Sequence, residues 1–169
     1  MARATVTVAL RIGYNPSQIA SPFYESSTER STMTLEDAVR RANQEFYAAF
    51  ESLDLARMEA VWAHDDLVEC VQPGWDLLLG WDEVRERWAR VFANTSRVRV
   101  ALSGVRIRVE GAVGWVACTV RLTTAFEEGF DEAVVQATNI FVLREGKWLL
   151  VVHHASVLPE ASASEPTVQ

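Results

Sequence analysis

Two histidines stand side by side near the end of an apolar segment, in the stretch LLVVHHAS at residues 149–156. Imidazole is the side chain whose ordinary pKa lies closest to neutral pH, so a histidine in a pocket can move protons or bind a ligand through hydrogen bonds. Successive side chains of a strand point to opposite faces of the sheet. We therefore expect one of His153 and His154 to face whatever the sheet encloses, and the other to face solvent, a partner subunit or a second layer.

The composition excludes several other kinds of site. The chain has 169 residues, of which 16 are basic and 23 acidic, giving a net charge of −7. This balance argues against nucleic-acid binding, which needs clustered Lys and Arg. The apolar stretch TVTVAL is too short to span a membrane. No spacing of metal-ligating residues appears, so we expect neither a metal nor another cofactor.

The two cysteines, Cys70 and Cys118, lie far apart and form no CxxC motif. They are typical of buried thiols in a protein of the reducing cytoplasm.

The order of predicted elements indicates an α+β fold. Thr34, with Asp37 three residues later, predicts the start of a first helix, and Asp54 predicts the start of a second. A third helix is expected from about Asp82 to Ala93. The alternation of apolar residues predicts strands at Leu67–Gln72, Arg99–Glu110, Ala112–Phe126, Ala133–Arg144 and Trp148–Ser156. The segment EEGFDE is expected to be a loop between two of these strands.

Both ends of the chain differ from this pattern. Residues 1–33 contain Gly, Pro and a polar run, which favours a flexible N-terminal extension, although Thr5–Ile12 alternates well enough for a short strand. Residues 160–169 have the composition of a disordered tail.

The six tryptophans are candidates for an aromatic pocket. Trp62 and Trp88 lie on the apolar stripes of predicted helices and are expected in the core. Trp75 and Trp81 flank the loop DLLLG and could line the mouth of a pocket. Alternation alone does not decide which face of the sheet Thr119 and Arg121 occupy.

Three stretches carry a resemblance to a known family: EFYAAFESLDLARMEAVWAHDD, CVQPGW…GWDEVRERW and ATNIFVLREGKWLLVVHHAS. They resemble the nuclear transport factor 2-like superfamily, in particular its SnoaL-like, ketosteroid-isomerase-like members, over residues 34–159. The resemblance implies a curved antiparallel sheet wrapped by three N-terminal helices, the conical cystatin-like fold. It further implies an apolar pocket inside the cone and a homodimer formed through the convex face of the sheet.

The resemblance also places individual residues. Where ketosteroid isomerases have a tyrosine oxyanion donor and an aspartate base, this chain has Phe46 and Gln72, neither of which can do that chemistry. Asn139 falls where those enzymes have the protonated aspartate of their oxyanion hole, and its amide can still donate a hydrogen bond. Tyr47 is expected off the pocket axis, because it lies about 100° around the helix from Phe46.

On the last strand, the resemblance turns Val151, His153 and Ala155 toward the pocket, and Leu150, Val152 and His154 toward the convex face. The candidate catalytic residues are then His153 and Asn139. The candidate ligand-binding residues are Gln72, Phe46, Trp75, Trp81, Cys70 and Trp115.

Two functions remain open at this point. The first is an apolar pocket that binds a hydrophobic small molecule. If it is also an enzyme, the chemistry would be cofactor-independent isomerisation, cyclisation or dehydration of a carbonyl compound, with Asn139 polarising the oxygen and His153 moving the proton. The alternative is a non-catalytic dimerisation or association module. His153 itself can be an acid–base group or simply a neutral histidine satisfied by Asn139 or a backbone carbonyl.

Overall fold

The computed structural model describes residues 33–126 and 129–158, which form three helices and six strands. The expected N-terminal extension, including Thr5–Ile12, lies outside the described residues except for Met33, and so does the expected tail. The elements in chain order are α1 Leu35–Ser52, α2 Leu55–Glu59, β1 Glu69–Val71, β2 Leu78–Leu79, α3 Trp81–Ala93, β3 Arg97–Glu110, β4 Val113–Phe126, β5 Gly129–Arg144 and β6 Lys147–Val157.

The predicted helix starts are confirmed. Thr34 Oγ1 accepts a hydrogen bond from the backbone N–H of Asp37 at 3.1 Å, and the Asp37 carboxylate accepts one from the backbone N–H of Thr34. This reciprocal capping box satisfies N–H groups that have no partner inside the helix. Asp54 caps α2 in the same way by accepting from Ala56 at 2.9 Å. The first helix therefore begins where its sequence predicts, and its buried stripe faces the sheet.

The six strands form one curved sheet in the order β2-β1-β6-β5-β4-β3. All neighbouring strands are antiparallel except β1 and β6, which are parallel. The expectation of an antiparallel sheet therefore holds for the four long strands. The short strand β1 instead runs parallel to β6. Parallel neighbours cannot be joined by a tight hairpin, and the two strands are separated in sequence by the rest of the sheet.

The strands differ from the prediction chiefly in one boundary and in one additional strand. β5 begins at Gly129, inside the segment expected to be a loop, because pairing with β4 continues to the Phe126–Gly129 pair. The two-residue strand β2 in the apolar run LLLG was not predicted. In both places, pairing with a neighbouring strand decides the conformation over local propensity.

The sheet has two faces that differ in cover. Helix α1 packs across β3, β4 and β6 on one side. We call this side the inner face, marked by Val116, Asn139 and His153, and the opposite side the outer face, marked by Trp115 and His154. A Cβ atom added at Gly114 would lie 2.5 Å from Val39 Cγ2 of α1, so glycine is what lets the helix and β4 approach this closely.

The pairing of residues between strands shows which face of the sheet three further residues occupy. Thr119 and Arg121 lie on the outer face, since Val116, Cys118 and Val120 are buried on the inner one. A bulge in β6 changes one assignment: Ile140 pairs with Val152, yet Phe141 pairs with Leu150. The extra residue turns Leu150 to the inner face, where it is fully buried, so the expectation that it lies on the convex face was wrong.

Candidate functional site

The register of three strands places a row of chemically distinct side chains on the inner face. Cys70 of β1 pairs with His153 of β6, and His153 pairs with Asn139 of β5. Directly paired residues share a face of the sheet. His153 is 3% exposed, whereas His154 is exposed on the outer face. His153 is therefore the histidine that faces the enclosed side of the sheet, and His154 faces outward.

A chain of hydrogen bonds connects β6 to α1 through Asn139. Nδ1 of His153 lies 2.6 Å from Oδ1 of Asn139. Nδ2 of Asn139 donates to Oδ1 of Asn43 at 2.7 Å and to the hydroxyl oxygen of Tyr47 at 3.3 Å. We call Asn43, Tyr47, Asn139 and His153 the polar relay. All four are buried.

The relay fixes which nitrogen of His153 carries the proton. The Oδ1 atom of Asn139 can only accept, so Nδ1 of His153 donates and Nε2 keeps a lone pair. Within the described residues, the only side-chain nitrogen or oxygen that is sealed from solvent without a partner is Nε1 of Trp88. Nε2 of His153 has no protein partner in this part of the chain and is not sealed, so it opens on the adjoining cavity.

Burial keeps the relay uncharged. It lowers the pKa of His153 to about 3, with a smaller contribution from His154, so the imidazole is neutral at pH 7. Burial also raises the pKa of Tyr47, which stays a phenol, and raises the pKa of Cys70 to about 12. His153 is consequently a hydrogen-bond acceptor at neutral pH and a poor proton donor.

The helix side of the site comes from one stripe of α1. Asn43, Phe46, Tyr47 and Phe50 are spaced three to four residues apart and point at the sheet. The ring of Phe46 lies 5.1 Å from that of His153. The expectation that Tyr47 lies off the pocket axis was wrong: Tyr47 lines the cavity, and its hydroxyl is 3.7 Å from Sγ of Cys118.

Asn43 was missed by the sequence reasoning. A signal for it existed, because an asparagine that falls inside an apolar helical stripe between Val39 and Phe46 must find a buried partner.

The cavity beside His153 is small and mostly apolar. We call it the inner cavity; its walls include Phe46, Tyr47, Phe50, Gln72, Val135 and His153. Its volume is about 10 Å³, which is about what one water molecule needs. The resemblance implied an apolar pocket at this place, and large side chains of α1, above all Phe46 and Phe50, take up most of its space.

The other predicted site residues divide into two groups. Gln72 lines the inner cavity, and the fully buried Cys70 lies beside His153 in the sheet. Trp75, Trp81 and Trp115 do not reach this cavity. Trp75 lines a separate cleft, Trp81 stacks on His64 with ring centres 4.5 Å apart, and Trp115 lies on the outer face.

Two general features complete the description. Among residues 33–126 and 129–158, no three His, Cys, Asp or Glu side chains stand close enough to hold a metal ion. None of the helices in that part of the chain is both long and apolar enough to cross a membrane.

Comparisons of the sequence and of the structure with known proteins point to the same family. A family model described as a SnoaL-like domain matches residues 39–160. A curated relative, the F-box protein SKIP8 of Arabidopsis thaliana, is 27% identical over 121 residues, which is 72% of this chain and 50% of that protein. The chain thus spans about half the length of the curated relative it matches.

Solved structures agree with this assignment. A candidate dehydratase of the NTF2-like family from Streptomyces avermitilis is 31% identical, with a TM-score of 0.68 over 72% of this chain and 95% of that one. A candidate calcium/calmodulin-dependent protein kinase type II association domain from Thiobacillus denitrificans is 32% identical, with a TM-score of 0.63 over 71% and 94%. The chain belongs to the SnoaL-like family within the NTF2-like superfamily.

Proposed function

We propose that this domain binds a small, largely apolar molecule that carries one hydrogen-bond donor, held by Nε2 of His153 in the inner cavity. The observation that carries the proposal is the polar relay. Three buried polar side chains from α1 and β5 hold the imidazole of His153 so that a single lone pair opens on an apolar cavity. Apolar walls with a few placed polar groups are typical of small-molecule sites.

Binding requires the walls of the cavity to move, because a volume of about 10 Å³ admits no more than about one water molecule. Phe50 and Gln72 are only half buried, unlike the fully buried Phe46. We propose that these two side chains swing aside when the ligand enters, while the relay behind them stays fixed.

The relay changes the chemistry that an enzyme could perform here. Both amide hydrogens of Asn139 already bind Asn43 and Tyr47, so Asn139 has no N–H left to polarise a substrate oxygen. Its role in our proposal is to position His153. The phenol of Tyr47 and the side-chain amide of Gln72 are the remaining donors at the cavity wall.

An enzyme that isomerises, cyclises or dehydrates a carbonyl compound here would use the Tyr47 hydroxyl to polarise the oxygen and His153 to move the proton. This extension is supported by the name of the relative from Streptomyces avermitilis, a candidate dehydratase. Binding alone is the better supported proposal, because a buried histidine with a pKa of about 3 is a weak base.

The test compares the two adjacent histidines. Nile red, a neutral fluorescent dye, reports binding to apolar cavities, and native mass spectrometry reports any small molecule that copurifies. We expect His153→Ala to weaken binding of a copurified molecule about tenfold, the effect of losing one hydrogen bond. Nile red has no N–H or O–H to donate, so its binding reports only whether the apolar walls admit a ligand. His154→Ala, the matched control on the outer face, should leave binding unchanged. If neither the dye nor any copurified molecule binds the folded wild-type protein, the proposal is wrong.

A second function, self-association, is supported by the outer face. Trp115 is 37% exposed there and pairs with Ile140, which in turn pairs with Val152. We propose that this apolar strip forms a homodimer through a twofold, self-complementary contact. The name of the relative from Thiobacillus denitrificans, a candidate association domain, points the same way.

We further propose that residues 34–159 are the folding unit and that the protein works in the cytoplasm. The two free, buried cysteines, Cys70 and Cys118, support a reducing compartment.

A further inference from the structure

A second concave region lies next to the inner cavity and has the opposite electrostatic character. We call it the arginine cleft; it has a volume of about 520 Å³, and its walls include Phe50, Trp75, Arg87, Arg90, Asn94 and Thr95. This volume is in the usual range for small-molecule sites. No lining residue is acidic, although the chain as a whole has seven more acidic than basic residues.

Arg87 is the distinctive residue of this cleft. Its guanidinium lies 4.8 Å from the centre of the Trp75 ring, a cation–π contact that fixes its position. On the same helix, Arg85 is ion-paired with Glu59, and Arg90 with Glu86. No carboxylate of the described residues pairs with Arg87 in this way. Glu83 and Glu86 lie near Arg87 on the other side, where they line a separate depression with it, but neither makes an ion pair with its guanidinium. A half-buried guanidinium without an ion pair has hydrogen-bond donors to spare.

A second unused donor lies behind Trp75. The indole N–H of Trp88 is sealed from solvent and has no acceptor. The rings of Trp75 and Trp88 are 6.4 Å apart, and Phe50 packs against Trp88 at 5.2 Å. A buried donor without a partner is unfavourable. Trp88 does not itself line the cleft, so the group without an ion pair that a ligand in the cleft can reach is the Arg87 guanidinium. This group only donates, which favours a ligand group that accepts hydrogen bonds.

The cleft and the inner cavity share a wall. Phe50 lines both of them. Gln72, at the cavity, accepts a backbone hydrogen bond from Trp75, at the cleft, at 2.9 Å. Displacement of Phe50 would join the two spaces into one site with His153 at one end and Arg87 at the other.

We infer that the ligand is an apolar carboxylic acid, with its carboxylate bound by Arg87 in the arginine cleft and its body directed past Phe50, so that a donor at the far end of the body reaches Nε2 of His153. This inference rests on the proposed function and adds the chemical class of the ligand. A planar guanidinium matches a carboxylate through two parallel hydrogen bonds, and the apolar walls fit the hydrocarbon body.

The experiment uses matched pairs of a carboxylate and the alcohol of the same carbon skeleton. Each pair carries the same hydroxyl group at the far end as the donor for His153: 4-(4-hydroxyphenyl)butyrate with 4-(4-hydroxyphenyl)butan-1-ol, and 10-hydroxydecanoate with decane-1,10-diol. Isothermal titration calorimetry on the full chain gives the dissociation constant of each. We expect at least one carboxylate to bind about tenfold more tightly than its alcohol, and Arg87→Gln to abolish this difference without weakening the alcohol.

Arg85→Gln is the control, because it removes the same charge from the same helix outside the cleft. It should leave the preference for the carboxylate intact. If carboxylate and alcohol bind equally well and Arg87→Gln changes neither, the inference is wrong and the proposed function stands. If no member of any pair binds, and Nile red does not bind either, both are wrong.

Discussion

The two faces of the sheet use polar residues in opposite ways. On the inner face, Asn139 and His153 have their hydrogen bonds fixed by neighbours that are themselves buried. On the outer face, Thr138 and His154 are directly paired in the sheet and exposed. Adjacent residues of the same two strands therefore differ in their surroundings: one set forms a buried hydrogen-bond network, and the other is exposed at the surface of the sheet.

The largest expected difference between the faces is in stability. Asn139→Ala should lower the free energy of unfolding by about 3 kcal/mol, because Asn43 and His153 each lose a buried partner. Thr138→Ala, the neighbouring residue on the outer face, should change it by about 0.5 kcal/mol or less. Urea unfolding measures both. Equal effects of the two substitutions would mean that the relay is not the organising feature of the inner face.

The next effect is a dependence of stability on pH. The pKa of His153 falls from 6.5 to about 3 on folding, so the unfolded chain binds one more proton between these values. The share of the folding stability that comes from this pKa difference is fully present above pH 6.5 and is lost as the pH falls toward 3. Between pH 7 and pH 5 the loss should be about 2 kcal/mol.

The matched variants isolate that contribution. His153→Gln should remove it, so that the difference in stability between wild type and variant shrinks as the pH falls. His154→Ala should keep the wild-type slope over this interval. An unchanged slope in His153→Gln would contradict the burial of a neutral imidazole.

The smallest effect on the fold is expected on the outer face. Trp115→Glu should change the stability of the monomer little, since Trp115 is already 37% exposed. It should nevertheless dissociate the proposed homodimer, because each subunit would bring a buried charge to the proposed twofold contact. Analytical ultracentrifugation at micromolar concentration measures this. A wild-type protein that sediments as a monomer would contradict the proposed interface.

Much of this arrangement could be predicted from local signals. The capping residues Thr34 and Asp54 located two helices, and alternation along β6 separated His153 from His154. The family resemblance supplied the curved sheet and the pocket. These features depend on sequence neighbours or on a pattern shared by relatives.

The remainder depends on contacts that no local pattern records. The bulge that turns Leu150 inward is set by pairing with β5, and the place of Tyr47 is set by how α1 rotates against the sheet. The volume of the inner cavity depends on the combined packing of Phe46, Phe50 and their neighbours. The arginine cleft brings together residues from α1, α3 and β4, so its charge could not be seen along the chain.

The account depends most on the state of His153, and nitrogen-15 NMR of the histidine rings tests it directly. Long-range proton–nitrogen spectra distinguish the two neutral forms of imidazole and the charged form, and the His153→Gln variant assigns the signals. We predict that His153 is neutral with its proton on Nδ1 from pH 7.5 down to pH 5, and that ligand binding shifts Nε2 more than Nδ1. A proton on Nε2 at neutral pH, or titration of His153 near its ordinary pKa of 6.5, would contradict the account.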